Sequence, residues 1–216
     1  MEIRILYDNE SKEGFKEGWG FSCLVGGETL FDVGADFDTL IFNMRRAFVK
    51  LDSIKKIFLS HEHGDHVGGI RVLNMLGDVE LYVPHSFSSR LKRRLTAFAN
   101  VTLVEVDEAI EITEGFYTTG ELGRFIKEQS MIVETDNGLT VITGCSHPGL
   151  ENILKAASQY GEIYGVVGGF HGFSRLEALK GLRLIVPCHC TVQKREILAL
   201  YPERSITCSA GCRIEI

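Results

Sequence analysis

A chain of 216 residues is long enough to bury a sizeable core and short enough to read as one continuous domain spanning 1–216. Hydrophobic residues at 44% and charged residues at 24% exclude disordered and fibrous classes. Lys plus Arg at 23 against Asp plus Glu at 29 leaves a formal charge of −6, which argues against a broad phosphate-gripping face, so no nucleic-acid partner is expected.

The N-terminal stretch MEIRILYDNESKEG carries acidic residues where a signal peptide needs basic and then apolar ones, and no apolar run approaches ~18 residues. The expectation is a cytoplasmic protein with no membrane partner. Strand-like runs follow at Ile3 to Tyr7, Phe21 to Val25 and Thr29 to Val33, the last two joined by a Gly26-Gly27 turn. Phe37, Leu40, Ile41, Met44 and Phe48 recur at helical spacing behind Asp36 or Asp38 as a cap, and Lys56 to Leu59 reads as a short buried strand. Val67 to Leu76 reads as helix, Val79 to Val83 as strand and Ser86 to Ala99 as a basic helix. Strands are predicted at Val101 to Val106 and Ile110 to Ile112, then a hairpin of Ser130 to Glu134 with Leu139 to Thr143. From there β and α alternate: helix from Gly149 to Tyr160, strand from Ile163 to Val167, a short helix from Arg175 to Lys180, strand from Leu184 to Val186, helix from Val192 to Leu200, and a strand pair from Ile206 to Ile216. Two β-rich segments, each followed by helices, suggest two packed sheets with helices outside.

Of the seven histidines, His61, His63, His66, His147, His171 and His189 lie just after a predicted strand or in a glycine-rich turn, and His85 alone does not. The run Ser60-His61-Glu62-His63-Gly64-Asp65-His66 packs three imidazoles and a carboxylate behind a strand end, with Gly64 permitting a tight turn. Imidazole nitrogen and carboxylate oxygen suit zinc, manganese or iron at ~2.0–2.2 Å. Alternation lets His61 with His63 serve one ion and Asp65 with His66 a second.

This run, with Phe31-Asp32-Val33-Gly34 upstream, resembles the metallo-β-lactamase superfamily. The resemblance implies an α/β fold, a four-layer αβ/βα sandwich of two mixed β-sheets with helices on both outer faces. The later blocks Thr118-Thr119-Gly120-Glu121-Leu122, Thr143-Gly144-Cys145-Ser146-His147, Gly168-Gly169-Phe170-His171 and Pro187-Cys188-His189-Cys190-Thr191 resemble one branch, the dihydropterin-methyl-ribofuranosylaminobenzene-phosphate synthase-like hydrolases. Many members carry a third histidine near Thr119-Gly120 and a bridging aspartate after Thr143-Gly144, where this chain has Glu121 and Cys145. His147 is the first choice to complete one ion and His189 the other. By resemblance, Asp32 supports a ligating histidine from behind. His171 is expected to act on substrate or to support the ligands, and Glu121 and Cys145 remain possible ligands. A rival reading groups Cys188, Cys190, Cys208 and Cys212 into a structural zinc site, although on a strand Cys188 and Cys190 should face away from His189.

The expected chemistry is hydrolysis of a small-molecule ester, amide or phosphoester dependent on Zn2+, in two sites that need not both be occupied, with Mn2+ or Fe2+ as alternatives. Asp65 would orient the attacking water. Two other readings stay open. One, implied by the branch, is a methanopterin-pathway synthase joining a dihydropterin to ribofuranosylaminobenzene phosphate, with Arg124 or Lys127 holding the anion. The other is a non-catalytic, metal-dependent binding or sensor protein.

Overall fold

The computed structural model describes residues 1–216. The first strands are β1 (Glu2–Tyr7), β2 (Ser22–Val25), β3 (Thr29–Phe31), β4 (Lys56–Phe58), β5 (Val79–Pro84) and β6 (Val101–Val106). They are followed by β7 (Ile110–Thr113), β8 (Phe116–Thr118), β9 (Met131–Thr135), β10 (Gly138–Thr143), β11 (Ile163–Gly169), β12 (Leu184–Cys188) and β13 (Arg213–Glu215). The α-helices are α1 (Phe37–Arg46), α2 (Gly64–Val67), α3 (Ser89–Leu95), α4 (Leu150–Ala157) and α5 (Lys194–Leu200). One sheet has seven strands in the order β13-β1-β2-β3-β4-β5-β6 and the other six in the order β12-β11-β10-β9-β8-β7. Each sheet mixes antiparallel pairs with a parallel run: β3 to β6 in the first, β10 to β12 in the second.

Period-two alternation divides the apolar side chains among three cores. Phe31, Phe58 and Tyr82 face the second sheet and pack against Met131, Val133, Ile142, Val167 and Val186. Their rings stack across β3, β4 and β5, with centroids 6.0 and 5.6 Å apart. Their strand neighbours Leu30, Ile57 and Leu81 point the other way, against Leu40 and Met44 of α1 and Leu91 of α3. Across the molecule, Ile132, Val141, Val166 and Ile185 meet Leu150 and Ile153 of α4 and Ile197 of α5. Helix, sheet, sheet, helix: the four layers are the expected αβ/βα sandwich. Each fully buried Phe, Leu or Ile contributes roughly 1.5–3 kcal/mol by leaving water. No helix is long and apolar enough to cross a membrane.

Several elements depart from the sequence expectation. Val67 to Leu76 is not one helix: α2 stops at Val67 and a 3-10 turn follows at Ile70–Met75. Gly68 and Gly69 lie so close to the carbonyls of Ala35 and Val33 that an added Cβ would sit 1.9 and 2.0 Å from them. The basic helix shrinks to α3, capped by Ser88, whose hydroxyl accepts from Leu91 N. Phe116–Thr118, unread in the sequence, is a strand. The expected strand pair over 206–216 is a single strand, β13; residues 206–210 run as a loop whose backbone bonds to Ile185, Glu10 and Lys12 instead of to one another.

Parallel strands deliver their C-terminal ends to the same edge. Asp32 follows β3, Ser60 and His61 follow β4, residues 144–147 follow β10, His171 follows β11 and His189 follows β12. Asp8 and Asn9 follow β1, which runs the same way as β3 because β2 is antiparallel to both.

Candidate metal centre

At that edge the histidines converge. His61, His63 and His147 form one group of donor atoms and Asp65, His66 and His189 a second; within each group all donors lie within 4.8 Å of one another. The ring of His61 is 4.7 Å from His63, 4.8 Å from His147 and 4.2 Å from His66, and His66 is 5.0 Å from His189. Cys145 stands between the two: it groups with His61 and His66 on one side and with His189 and Cys190 on the other.

Hydrogen bonding fixes where the lone pairs point. The hydroxyl of Ser60 donates its single proton to Asp32 Oδ2 at 2.7 Å, so it accepts from His61 Nδ1 at 2.9 Å, which leaves the lone pair of His61 on Nε2. His66 Nδ1 donates to Asp32 Oδ2 at 2.7 Å, and its Nε2 lies 3.2 Å from Cys145 Sγ and 3.8 Å from Asp65 Oδ2. His189 Nδ1 donates to Asn9 Oδ1 at 2.9 Å, and its Nε2 faces Asp65 Oδ2 at 3.1 Å. At that distance a proton or a cation must lie between the two atoms. His147 Nε2 is buried with no hydrogen-bond partner at all. Imidazole and carboxylate donors aimed at shared points and backed by fixed partners are what a divalent cation requires, so the residues fit such a group.

The electrostatics divide the two groups. Burial and then the neighbouring imidazoles push His61 far below its ordinary value, and burial with His63 and His171 lowers His147 to about 4, so both are neutral at physiological pH. Burial alone would raise Asp65, but the hydrogen bond from His189 and the charge of His66 hold it well below the usual carboxylate range. Burial opposes charge on His66, yet the Asp32 carboxylate outweighs it and the net direction is upward.

Sequence reasoning missed the residues that hold this arrangement. Asp8, fully buried, accepts from His189 N at 2.6 Å, and Asn9 Nδ2 donates to the His189 carbonyl at 3.0 Å. Between them they pin His189 at φ +46°, a left-handed conformation that a non-glycine residue keeps only when its surroundings enforce it. Lys194 Nζ, 3.8 Å from Asp8, balances the buried charge. Glu128, 1% exposed, organises the loop after β10: its Oε1 accepts from Thr143 Oγ1 and from the amides of Gly144, Cys145 and Ser146, and its Oε2 from His147 N at 2.9 Å. Burial pushes Glu128 up and these amides pull against it. Asp8, directly after the apolar run of β1, carried the one available signal, and Asn9 and Glu128 carried none.

Other expected residues fall outside the two groups. His171 does not join them; its ring lies 5.0 Å from His147 and lines a cavity of about 370 Å³ with Ser146, Glu151, Phe173 and Arg175. Glu121 belongs to neither group, because its carboxylate is engaged by Ser86 N at 2.6 Å. Arg124 and Lys127 are exposed on the 122–128 loop and do not line that cavity. The four late cysteines form no common site: Cys188 meets Cys208 and Asp8 inside the inter-sheet region, while Cys212 bonds to Ser209 and to the Thr207 carbonyl. Cys190 faces the histidines, against expectation, since strand alternation ends at Cys188 and the turn at His189 rotates the next residue inward.

Residues 29–125 match the family model of the beta-lactamase superfamily domain. Over 100% of its length the chain also matches the crystal structure of a metal-dependent hydrolase of the beta-lactamase superfamily, at 30% identity, 99% coverage of that chain and a TM-score of 0.82. The chain belongs to the metallo-β-lactamase superfamily. Within it, the chain is similar to the 7,8-dihydropterin-6-methyl-4-(beta-D-ribofuranosyl)-aminobenzene-5'-phosphate synthase of Methanocaldococcus jannaschii, 28% identical with 77% of this chain and 76% of that protein aligned. Zn(2+)-bound PqqB from Methylobacterium extorquens shares the fold at 12% identity and a TM-score of 0.64, covering 100% of both chains.

Proposed function

We propose that the chain is a metal-dependent hydrolase of a small-molecule ester, amide or phosphoester, with two cation positions. His61, His63 and His147 would hold one ion, Asp65, His66 and His189 the other, with Cys145 between them. The observation that carries this reading is the convergence of two groups of three donors on adjoining points, with His147 Nε2 buried and partnerless beside them. The imidazole-rich donor set favours zinc, with manganese or iron as alternatives. When bound, such ions supply Lewis acidity and make water acidic enough to be a nucleophile near neutral pH.

The chain's own residues do the rest. Asp65, its side chain 21% exposed beside His66 and His189, accepts a hydrogen bond from the attacking water and orients its lone pair. His171 and Arg175 line the adjoining cavity, which supports their orienting the substrate. Six unpaired cysteines fit a reducing, cytoplasmic setting. The test is elemental analysis of the pure protein with a screen of esters, lactones, phosphodiesters and pterins under zinc, manganese or iron. His63→Ala and His189→Ala should each abolish the turnover found; turnover that survives either change rejects the assignment.

Similarity to the Methanocaldococcus jannaschii protein supports a second reading, a synthase joining a dihydropterin to ribofuranosylaminobenzene phosphate. Formation of the joined product, with no hydrolysis of any ester offered, would select it.

A further inference from the structure

Beside the cation positions lies a pair of sulfurs that hydrolysis does not use as a pair. Cys145 Sγ and Cys190 Sγ are 3.2 Å apart. Cys145 sits in the loop after β10 and Cys190 in the turn after β12, so the contact spans the end of the intervening strand β11. It passes over Gly169, where a Cβ would lie 2.7 Å from Cys190 Sγ and 2.4 Å from the Gly144 carbonyl. The absence of a side chain at Gly169 is what allows the two loops to meet. Cys145 is 4% exposed, whereas Cys190 is partly open and offers a route for a small reagent. Cys188 and Cys208 also lie close together, but both are fully buried in the inter-sheet core.

We propose that Cys145 and Cys190 form a reversible disulfide, closed by a peroxide and opened by a low-molecular-weight thiol, that removes soft donors from the cation site. In closing, the sulfur of Cys190 attacks a peroxide oxygen, the O–O bond breaks, and an alcohol or water leaves with a sulfenic acid on Cys190. The sulfur of Cys145 then attacks that sulfur and expels water. The two thiols lose two electrons and two protons, and the peroxide gains both. Opening is exchange: two equivalents of external thiol become a disulfide and the two cysteines regain their hydrogens. Bond formation at about 2.05 Å asks the sulfurs to approach by roughly 1 Å, within the reach of χ1 adjustment on two loop residues. Cys145 takes part in the donor groups on both sides, so its loss weakens both positions. That consequence rests on the proposed metal centre; the cross-link does not.

The experiment uses the full chain stripped of metal by a chelator, with and without hydrogen peroxide, followed by non-reducing peptide mapping, thiol counting and zinc titration. The expected result is a peptide joining Cys145 to Cys190, a loss of two thiols restored by dithiothreitol, and zinc binding weakened about tenfold or more. Cys212→Ser should keep the cross-link, while Cys190→Ser and Cys145→Ser should each lose it. Sulfinic acid on Cys190 without a cross-link, or zinc bound as tightly by the cross-linked protein as by the reduced one, overturns the proposal. If the cross-link forms but the reduced protein binds no zinc, the disulfide stands and the metal centre falls.

Discussion

Asn9 holds His189 at both ends: its Oδ1 accepts from the ring Nδ1 at 2.9 Å and its Nδ2 donates to the backbone carbonyl at 3.0 Å. One side chain thereby sets both the tautomer and the backbone conformation of a proposed ligand. Asn9→Ala is expected to weaken zinc at that position about 10–100-fold while costing about 1 kcal/mol of stability. Competition with a chromophoric chelator measures the first quantity and urea unfolding the second. Unaltered zinc affinity would show that Asp8 suffices to place the ring.

Glu128→Gln keeps the shape of the side chain but replaces an acceptor oxygen by an NH2 group aimed at backbone amides. Because the site is buried, the displaced donors have no water to turn to, and a loss of about 2–3 kcal/mol is expected. The loop carrying Cys145 and His147 should loosen with it, seen as faster amide exchange at residues 144–147. A change under ~0.5 kcal/mol would contradict the role assigned to this carboxylate.

Gly68→Ala puts a methyl group 1.9 Å from the Ala35 carbonyl in a packed interior and is expected to cost ~3 kcal/mol or to prevent folding. Gly77→Ala meets nothing within 4 Å and should change stability by less than ~1 kcal/mol. Thermal midpoints of the two variants make the comparison.

Asp36 caps α1 by accepting from Thr39 N at 2.8 Å and receives the Tyr7 hydroxyl at 2.6 Å. Burial would raise this carboxyl, but those bonds hold it below the ordinary range. A depressed folded-state value means stability that is present above the unfolded value of ~3.9 and lost as the pH falls through the folded one. Asp36→Ala should therefore cost ~1 kcal/mol near neutral pH, with the gap to the parent closing only below about pH 4. A gap that stays constant down to strongly acid pH would assign the effect to lost packing alone.

Local chemistry was legible in the chain, and distant partnership was not. His61, His63, Asp65 and His66 announce themselves because a strand end, a glycine and four donors lie within a few positions. His147 and His189 could be nominated from the same strand-end rule, and the structure brings both beside the first cluster. Asn9 and Glu128 give no such signal and Asp8 only its place after β1, since the partners of all three lie far away in sequence and meet them only through sheet order. Cys190 faces the histidines because strand alternation stops at Cys188, two residues earlier, and a left-handed turn intervenes. The four-layer architecture followed from the motif blocks, while the broken segment at 64–75 depended on carbonyls from another part of the chain pressing on Gly68 and Gly69.

Trp19, the chain's one tryptophan, is 64% exposed and sets its indole edge-on to His189, ring centroids 5.0 Å apart. An indole beside an imidazole that changes charge or coordination alters its emission, so the protein carries an optical reporter at the very ring whose occupancy is in question. Filling or emptying that corner can be followed by intrinsic fluorescence, with no label and no knowledge of the substrate.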